Sequence, residues 1–185
     1  DSAKVAKENE ERKGERTALF SEEEVMELMT LCRIAYYDRP FTVGNFEITY
    51  RDAGHILGSA SVEIVDKRTG NGPKKIAFSG DLGNTPQDLV RPTEPVTDAD
   101  LVVMESTYGD KTHSDEDPMA VIQEEINAVE ANGGTLLIPA FSLERTQEIL
   151  HRIDHLKKNK KVKEETVVFL DSPMAIAATE IFKHF

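Results

Sequence analysis

The sequence of 185 residues contains a single cysteine, Cys32. One thiol can build neither a disulfide framework nor a cysteine zinc site within a chain, and the apolar pattern around Cys32 places it in a core. Nor does any apolar run approach the ~20 residues that a membrane span needs. From Asp1 to Arg16 the chain is mostly Lys, Glu, Arg and Asn, where a signal peptide would be apolar. These absences predict no membrane partner and a soluble, cytoplasmic protein. Positive charge is also short: 22 Lys and Arg face 34 Asp and Glu, a formal net charge of -12. Such a balance argues against wrapping nucleic acid with the whole surface, but leaves room for a local basic or metal-lined groove. Hydrophobic residues at 39% and charged residues at 30% describe a chain able to bury a core.

The charged opening stretch begins without methionine and reads as a piece of something longer. Ser21 followed by Glu24 is a capping box, and Val25, Met26, Leu28, Met29, Leu31 and Cys32 form an apolar stripe, predicting a core-packed helix from about Ser21 to Ile34. From Phe41 the period changes. Phe46, Ile48 and Tyr50 alternate with Glu47, Thr49 and Arg51 as in a half-buried strand, which runs into Asp52-Ala53-Gly54-His55. A second alternating stretch, Ser61 to Val65, a turn at Thr69-Gly70-Asn71-Gly72-Pro73, and Lys74 to Phe78 complete a strand-hairpin-strand sheet.

The last of these strands stops at Ser79-Gly80-Asp81-Leu82-Gly83. Asp81 can be read as a turn aspartate bonded to its own backbone, or as a carboxylate presented where Gly80 and Gly83 let a ligand approach. His55 likewise fits either a backbone-bonded histidine of a glycine-rich turn or a metal ligand at the same sheet edge. Leu101 to Met104 is the next buried strand, and it too ends in a carboxylate, Glu105. A catalytic metal usually has three protein ligands and an open position, so His55 and Asp81 alone are one ligand short. His151, His155 and His184 fall in helical segments and His113 in a polar loop; none forms a His-x-His pair.

Three stretches together carry a resemblance: Ala53-Gly54-His55-Ile56-Leu57-Gly58-Ser59-Ala60, Phe78-Ser79-Gly80-Asp81, and Met104-Glu105-Ser106-Thr107-Tyr108-Gly109. In this order they resemble successive motifs of the metallo-β-lactamase fold, and specifically of its β-CASP branch of nucleic-acid-processing nucleases. The resemblance implies that His55 and Asp81 are metal ligands, with Asp81 bridging two zinc ions and so also catalytic. It implies that Glu105 opens the β-CASP insertion as a catalytic acidic residue, orienting a later histidine that donates a proton. The implied fold is α/β: a partial metallo-β-lactamase αββα sandwich over residues 1–110, followed by the start of a β-CASP parallel-sheet insertion over residues 111–185.

The departures bear on activity. The His-x-His-x-Asp-His motif that supplies most zinc ligands in this family is absent, as are the two later β-CASP histidine motifs. The expectation is therefore an internal fragment of a zinc-dependent ribonuclease of RNA processing or decay, binding zinc weakly or not at all and inactive by itself. Its intact parent would hold two zinc ions and act on single-stranded RNA, with the remaining parts of the same polypeptide, or a second copy in a homodimer, as further partners. The alternatives are a non-catalytic scaffold of the same branch and another metallo-β-lactamase-fold hydrolase.

The remaining chain has the pattern of such an insertion. Asp117-Pro118 opens a helix with Met119, Ile122, Ile126 and Val129 on one face, ending at Asn132-Gly133-Gly134. Thr135 to Ile138 reads as a buried strand, and a helix with Ile149, Leu150, Ile153 and Leu156 follows Pro139-Ala140-Phe141-Ser142. A basic linker, Lys157 to Lys163, leads to a second buried strand, Thr166 to Leu170, and then to Asp171-Ser172-Pro173 opening the closing helix. Alternating apolar strands and helices predict a parallel sheet covered on both faces. Ser142, Asp171 and Ser172 are either helix caps or ligand groups at strand ends, and the lysine run is either a solvated helix end or an RNA contact.

Overall fold

The computed structural model describes residues 20–68, 74–84, 88–112 and 114–185. The charged opening stretch, the turn from Thr69 to Pro73 and the loop histidine His113 lie outside the described residues. The chain divides into two compact units, Asp1–Tyr36 and Tyr37–Phe185. Among the described residues no helix is long and apolar enough to cross a membrane.

In the first unit, α1 spans Glu22–Leu31. It starts where the capping box predicts: the Glu24 N–H donates to Ser21 Oγ and the Ser21 N–H to Glu24 Oε2, at 3.2 and 2.7 Å. Its apolar stripe, however, is exposed at Met26, Leu28, Met29 and Leu31, and so is Cys32. The core placement of this helix and of Cys32 is corrected here. A ten-residue helix has no interior of its own, and an apolar stripe is buried only when another element packs on it.

Among the described residues the second unit contains one sheet and three helices. Strands β1 (Phe41–Val43), β2 (Phe46–Asp52), β3 (Ala60–Asp66), β4 (Lys74–Phe78) and β5 (Leu101–Val103) lie side by side in chain order. The first three junctions are antiparallel and β4 pairs with β5 in parallel. Consequently β2, β4 and β5 run in one direction and finish at one edge of the sheet, at Asp52, Phe78 and Val103.

Partners in register share a face, and the two faces of this sheet differ. Ile48, Ile64 and Ile76 align on one and are half-buried, as the alternation predicts. The more buried face is the polar one: Thr49, Glu63 and Ala77 align there, with Ser61 beside them. Glu63 is held by Lys75 Nζ at 3.0 Å and Arg51 Nε at 3.6 Å. The segment after Thr93 docks along this face, with the Glu94 N–H donating to Asp52 O and Lys75 Nζ to Thr97 O. Pairing both oxygens of the buried carboxylate offsets the cost of taking it out of water. Strand β5, predicted buried, is exposed along its whole length; it is an edge strand with one sheet neighbour.

The helices are α2 (Pro118–Ala131), α3 (Arg145–Lys158) and α4 (Pro173–Phe182). Asp117 caps α2 by accepting the Met119 N–H, and Gly133, at φ +66°, lets the chain leave it. Ile126, Ile153, Leu156 and Val162 form the core, flanked by Met119, Ile122, Leu136 and Ile149. The helical stripes predict all of these except Val162, which lies in the basic linker, and Leu136, which the sequence pattern assigns to a strand. Each fully buried aliphatic side chain contributes roughly 1.5–3 kcal/mol. Ile153→Ala is expected to destabilise the chain by about 2–5 kcal/mol, measured by urea denaturation.

The two strands predicted for the insertion are not formed. Residues 135–138 and 166–170 are without strand pairing, and Leu137 and Phe169 are each 88% and 88% exposed. Their composition suits a parallel sheet, but a strand exists only with a hydrogen-bonded neighbour, and none pairs with them among the described residues. Between them and α2 and α3 lies a cavity of about 690 Å³ lined by Leu136, Ile138, Ile149, Ile153, Val167 and Leu170. The mixed α/β class stands; the covered parallel sheet does not.

Candidate active site

Because β2, β4 and β5 finish together, the residues that follow them meet. His55 comes three residues after β2, Asp81 three after β4 and Glu105 two after β5. His55 Nε2 stands 4.0 Å from Asp81 Oδ2, with the side chains 42% and 76% exposed. A histidine and a carboxylate converge there on water-accessible space.

The His55 loop is held at several points. Asp52 Oδ1 accepts the Gly54 N–H at 2.9 Å, and Ser59 Oγ accepts the N–H groups of His55 and Ile56 at 3.1 and 3.2 Å. Thr93 Oγ1 donates to Ala53 O, and the Gly83 N–H donates to the same carbonyl, both at 2.9 Å. This last bond joins the His55 loop directly to the Asp81 loop. Gly80 has the left-handed φ of +57° that a glycine allows. Gly83 serves a different purpose: a Cβ there would sit 1.6 Å from Gly54 O, so it is the other loop's backbone, not a ligand, that approaches it.

Glu105 sits behind Asp81. Its N–H donates to Ser79 Oγ at 2.9 Å, its Oε1 accepts the Leu82 N–H at 2.7 Å, and its Oε2 accepts the Thr107 hydroxyl at 2.5 Å. Those bonds, the Thr107 hydroxyl first and then the Leu82 N–H, hold its carboxyl below the usual glutamate value, with help from nearby His55. A lowered value in the folded state means that the carboxylate's contribution is present above the ordinary glutamate range and is lost as pH falls through the lowered value. The Leu82 amide shift is expected to titrate with a midpoint below about 4.3, the ordinary glutamate value, and to lose that titration in Glu105→Gln. A midpoint at or above the ordinary value would show that the bond does not act on the charged form.

Other candidates take structural positions. Ser172 caps α4 by accepting the Ala175 N–H at 3.2 Å. Ser142 caps nothing; its hydroxyl lies 3.1 Å from Met174 Sδ, and its carbonyl accepts from Gln147 Nε2. In the lysine run, Lys157 donates to Thr166 O at 2.8 Å, Lys158 pairs with Asp154 at 2.6 Å and Lys163 with Glu130 at 3.2 Å. Sequence reasoning misses two residues that bear on the site. Thr93 follows a proline in irregular chain and carries no local signal. Glu144, whose Oε2 accepts the Leu57 N–H at 3.2 Å, lies 87 residues from its partner. Burial pushes the Glu144 carboxyl up, and neighbouring Glu148 adds in the same direction against the Leu57 N–H, Arg145 and His55.

His55 and Asp81 are a nitrogen and an oxygen donor of the types that zinc accepts. Among the described residues, however, no group of three or more His, Cys, Asp or Glu gathers as a metal site. Two donors fit one side of a metal ion and do not complete a catalytic pair.

No family model matches the sequence. Individual proteins do. The chain is 34% identical over 158 residues to a ribonuclease of Thermus thermophilus, covering 84% of this chain and 35% of that protein. It is 29% identical over 175 residues to an RNase J-like protein of Methanocaldococcus jannaschii, covering 91% of this chain and 40% of that protein. Identity is 27% over 175 residues to the cleavage and polyadenylation specificity factor subunit 3-I of Arabidopsis thaliana, 90% of this chain and 24% of that protein. The chain thus spans well under half the length of these relatives. Its homologues are β-CASP metallo-β-lactamase ribonucleases, matched at modest identity over most of this chain's own length.

Proposed function

We propose that the chain is part of a metal-dependent ribonuclease that hydrolyses RNA phosphodiester bonds, and that it contributes one side of the metal centre. The observation that carries this reading is the meeting of His55 and Asp81 at 4.0 Å on the edge where three strands finish, with Glu105 bonded to the residue after Asp81. The named activities of the relatives support it: each of two is called an RNase or ribonuclease. In this reading His55 and Asp81 would hold the metal. Glu105 holds the Asp81 loop and is available to orient a further group. The metal, when bound, supplies a hydroxide and stabilises charge on the phosphate.

The finer parts of the proposal are zinc as the metal, single-stranded RNA as substrate, a homodimer as assembly and the cytoplasm as location. The boundary between the lactamase-like part and the β-CASP part is placed at residue 110. With two donors, the chain by itself holds zinc weakly and does not cut RNA. A non-catalytic scaffold of the same branch is the second reading, favoured by the incomplete donor set among the described residues. Replacing Asp81 by alanine in the whole protein separates the two: the nuclease reading requires loss of RNA cleavage, and the scaffold reading requires that there be no cleavage to lose.

A further inference from the structure

Glu144 departs from ordinary helix-start chemistry in four ways. It occupies the N-cap position of α3, yet its side chain makes no capping hydrogen bond. Its backbone has φ +61° and ψ −63°, a γ-turn geometry closed by the Arg145 N–H donating to Leu143 O, which L residues rarely adopt. Its side chain is turned inward, leaving the residue only 6% exposed, and Oε1 is buried without a hydrogen-bond partner. Its other oxygen accepts the Leu57 N–H, two residues beyond His55. A strained backbone and a half-satisfied buried carboxylate both cost stability, and such costs persist where the surrounding structure holds the group for another purpose.

We infer that Glu144 is a positioning residue for the candidate metal centre: it ties the start of α3 to Leu57 in the His55 loop and fixes where the imidazole stands relative to Asp81. The other restraints on this loop act at Ala53, Gly54, His55 and Ile56, from Asp52, Ser59, Thr93 and Gly83, and at Ser59, whose carbonyl accepts the Ala53 N–H and the Tyr37 hydroxyl. The Glu144 bond holds Leu57 between them, and it alone of these restraints comes from the helical part of the chain. Movement of α3 is thereby transmitted to one ligand of the site. The inference rests on the metal-centre reading of His55 for its functional meaning, but not for its geometry.

The test uses two variants. Glu144→Gly removes the carboxylate and eases the positive φ, which offsets part of the lost side-chain packing; Glu144→Gln keeps an oxygen acceptor. In the chain as it stands, hydrogen exchange at the Leu57 amide is expected to speed up at least about tenfold in Glu144→Gly, with the His55 ring signals shifted, and to return toward wild type in Glu144→Gln. Unchanged Leu57 exchange and unshifted His55 signals in Glu144→Gly would overturn the inference. In the whole protein, Glu144→Gly is expected to lower metal affinity and kcat by about 10–100-fold with KM for RNA unchanged, as for other residues that orient metal ligands. A rise in KM with kcat and metal affinity unchanged would also overturn it. If the whole protein proves to lack cleavage altogether, the nuclease reading fails, and Leu57 exchange still decides the role of Glu144.

Discussion

Gly83→Ala is expected to lower the stability of the chain by about 3 kcal/mol or more and to separate His55 from Asp81. Overpacking a well-filled position typically costs about 1–3 kcal/mol, and this case is at the severe end. The added Cβ would stand 1.6 Å from Gly54 O, 2.2 Å from its carbonyl carbon and 2.9 Å from the His55 N–H nitrogen, all of them backbone atoms that no side-chain rotation can clear. The two loops must part, and the Gly83-to-Ala53 hydrogen bond that joins them is lost. Gly44→Ala is the matched control. Gly44 has φ +59° with open space around it, so alanine there meets only backbone strain of roughly 1–2 kcal/mol. Urea denaturation of the two variants measures the difference. Equal destabilisation would mean that the loops do not pack as described.

Asp81→Ala in the whole protein is expected to reduce RNA cleavage by at least about a thousandfold, equivalent to about 4 kcal/mol of transition-state stabilisation. Its side chain is more exposed than that of His55 at the shared strand edge, and in the proposed reading it would hold the metal. Removing it affects the supply of hydroxide and the charge stabilisation together. Single-turnover cleavage of a labelled single-stranded RNA, with metal in excess, measures the loss. Retention of more than a tenth of the activity would remove Asp81 from the centre.

What the sequence shows of this site follows from how local each signal is. The capping box at Ser21 and Glu24, the Asp117-Pro118 helix start and the Ser172 cap each lie within three or four residues, and each forms as read. The strand ends at Asp52 and Phe78 are equally local, so His55 and Asp81 are legible as residues delivered to an edge. That the edge is shared depends on strand direction, which alternation does not encode. Burial is less legible still. The apolar stripe of α1 and the β5 run have the composition of core but lie exposed, because burial is a property of the partner as much as of the residue. Glu63 shows the converse: a charged residue is buried because Arg51 and Lys75 reach it from neighbouring strands. Thr135 to Ile138 and Thr166 to Leu170 were candidates for strands on composition alone, and pairing decides otherwise. Glu144 is the extreme case, since its partner lies 87 residues away and its backbone angle is one that glutamate's own preferences oppose.

The zinc content of the whole protein, wild type beside Asp81→Ala, measured by mass spectrometry after gel filtration, tests the account most directly. A metal-dependent nuclease with Asp81 holding metal predicts about two ions per chain in the wild type and one or fewer in the variant. A wild-type protein that carries no metal, or a variant that retains its full complement, would contradict the account and return His55 and Asp81 to the role of turn residues.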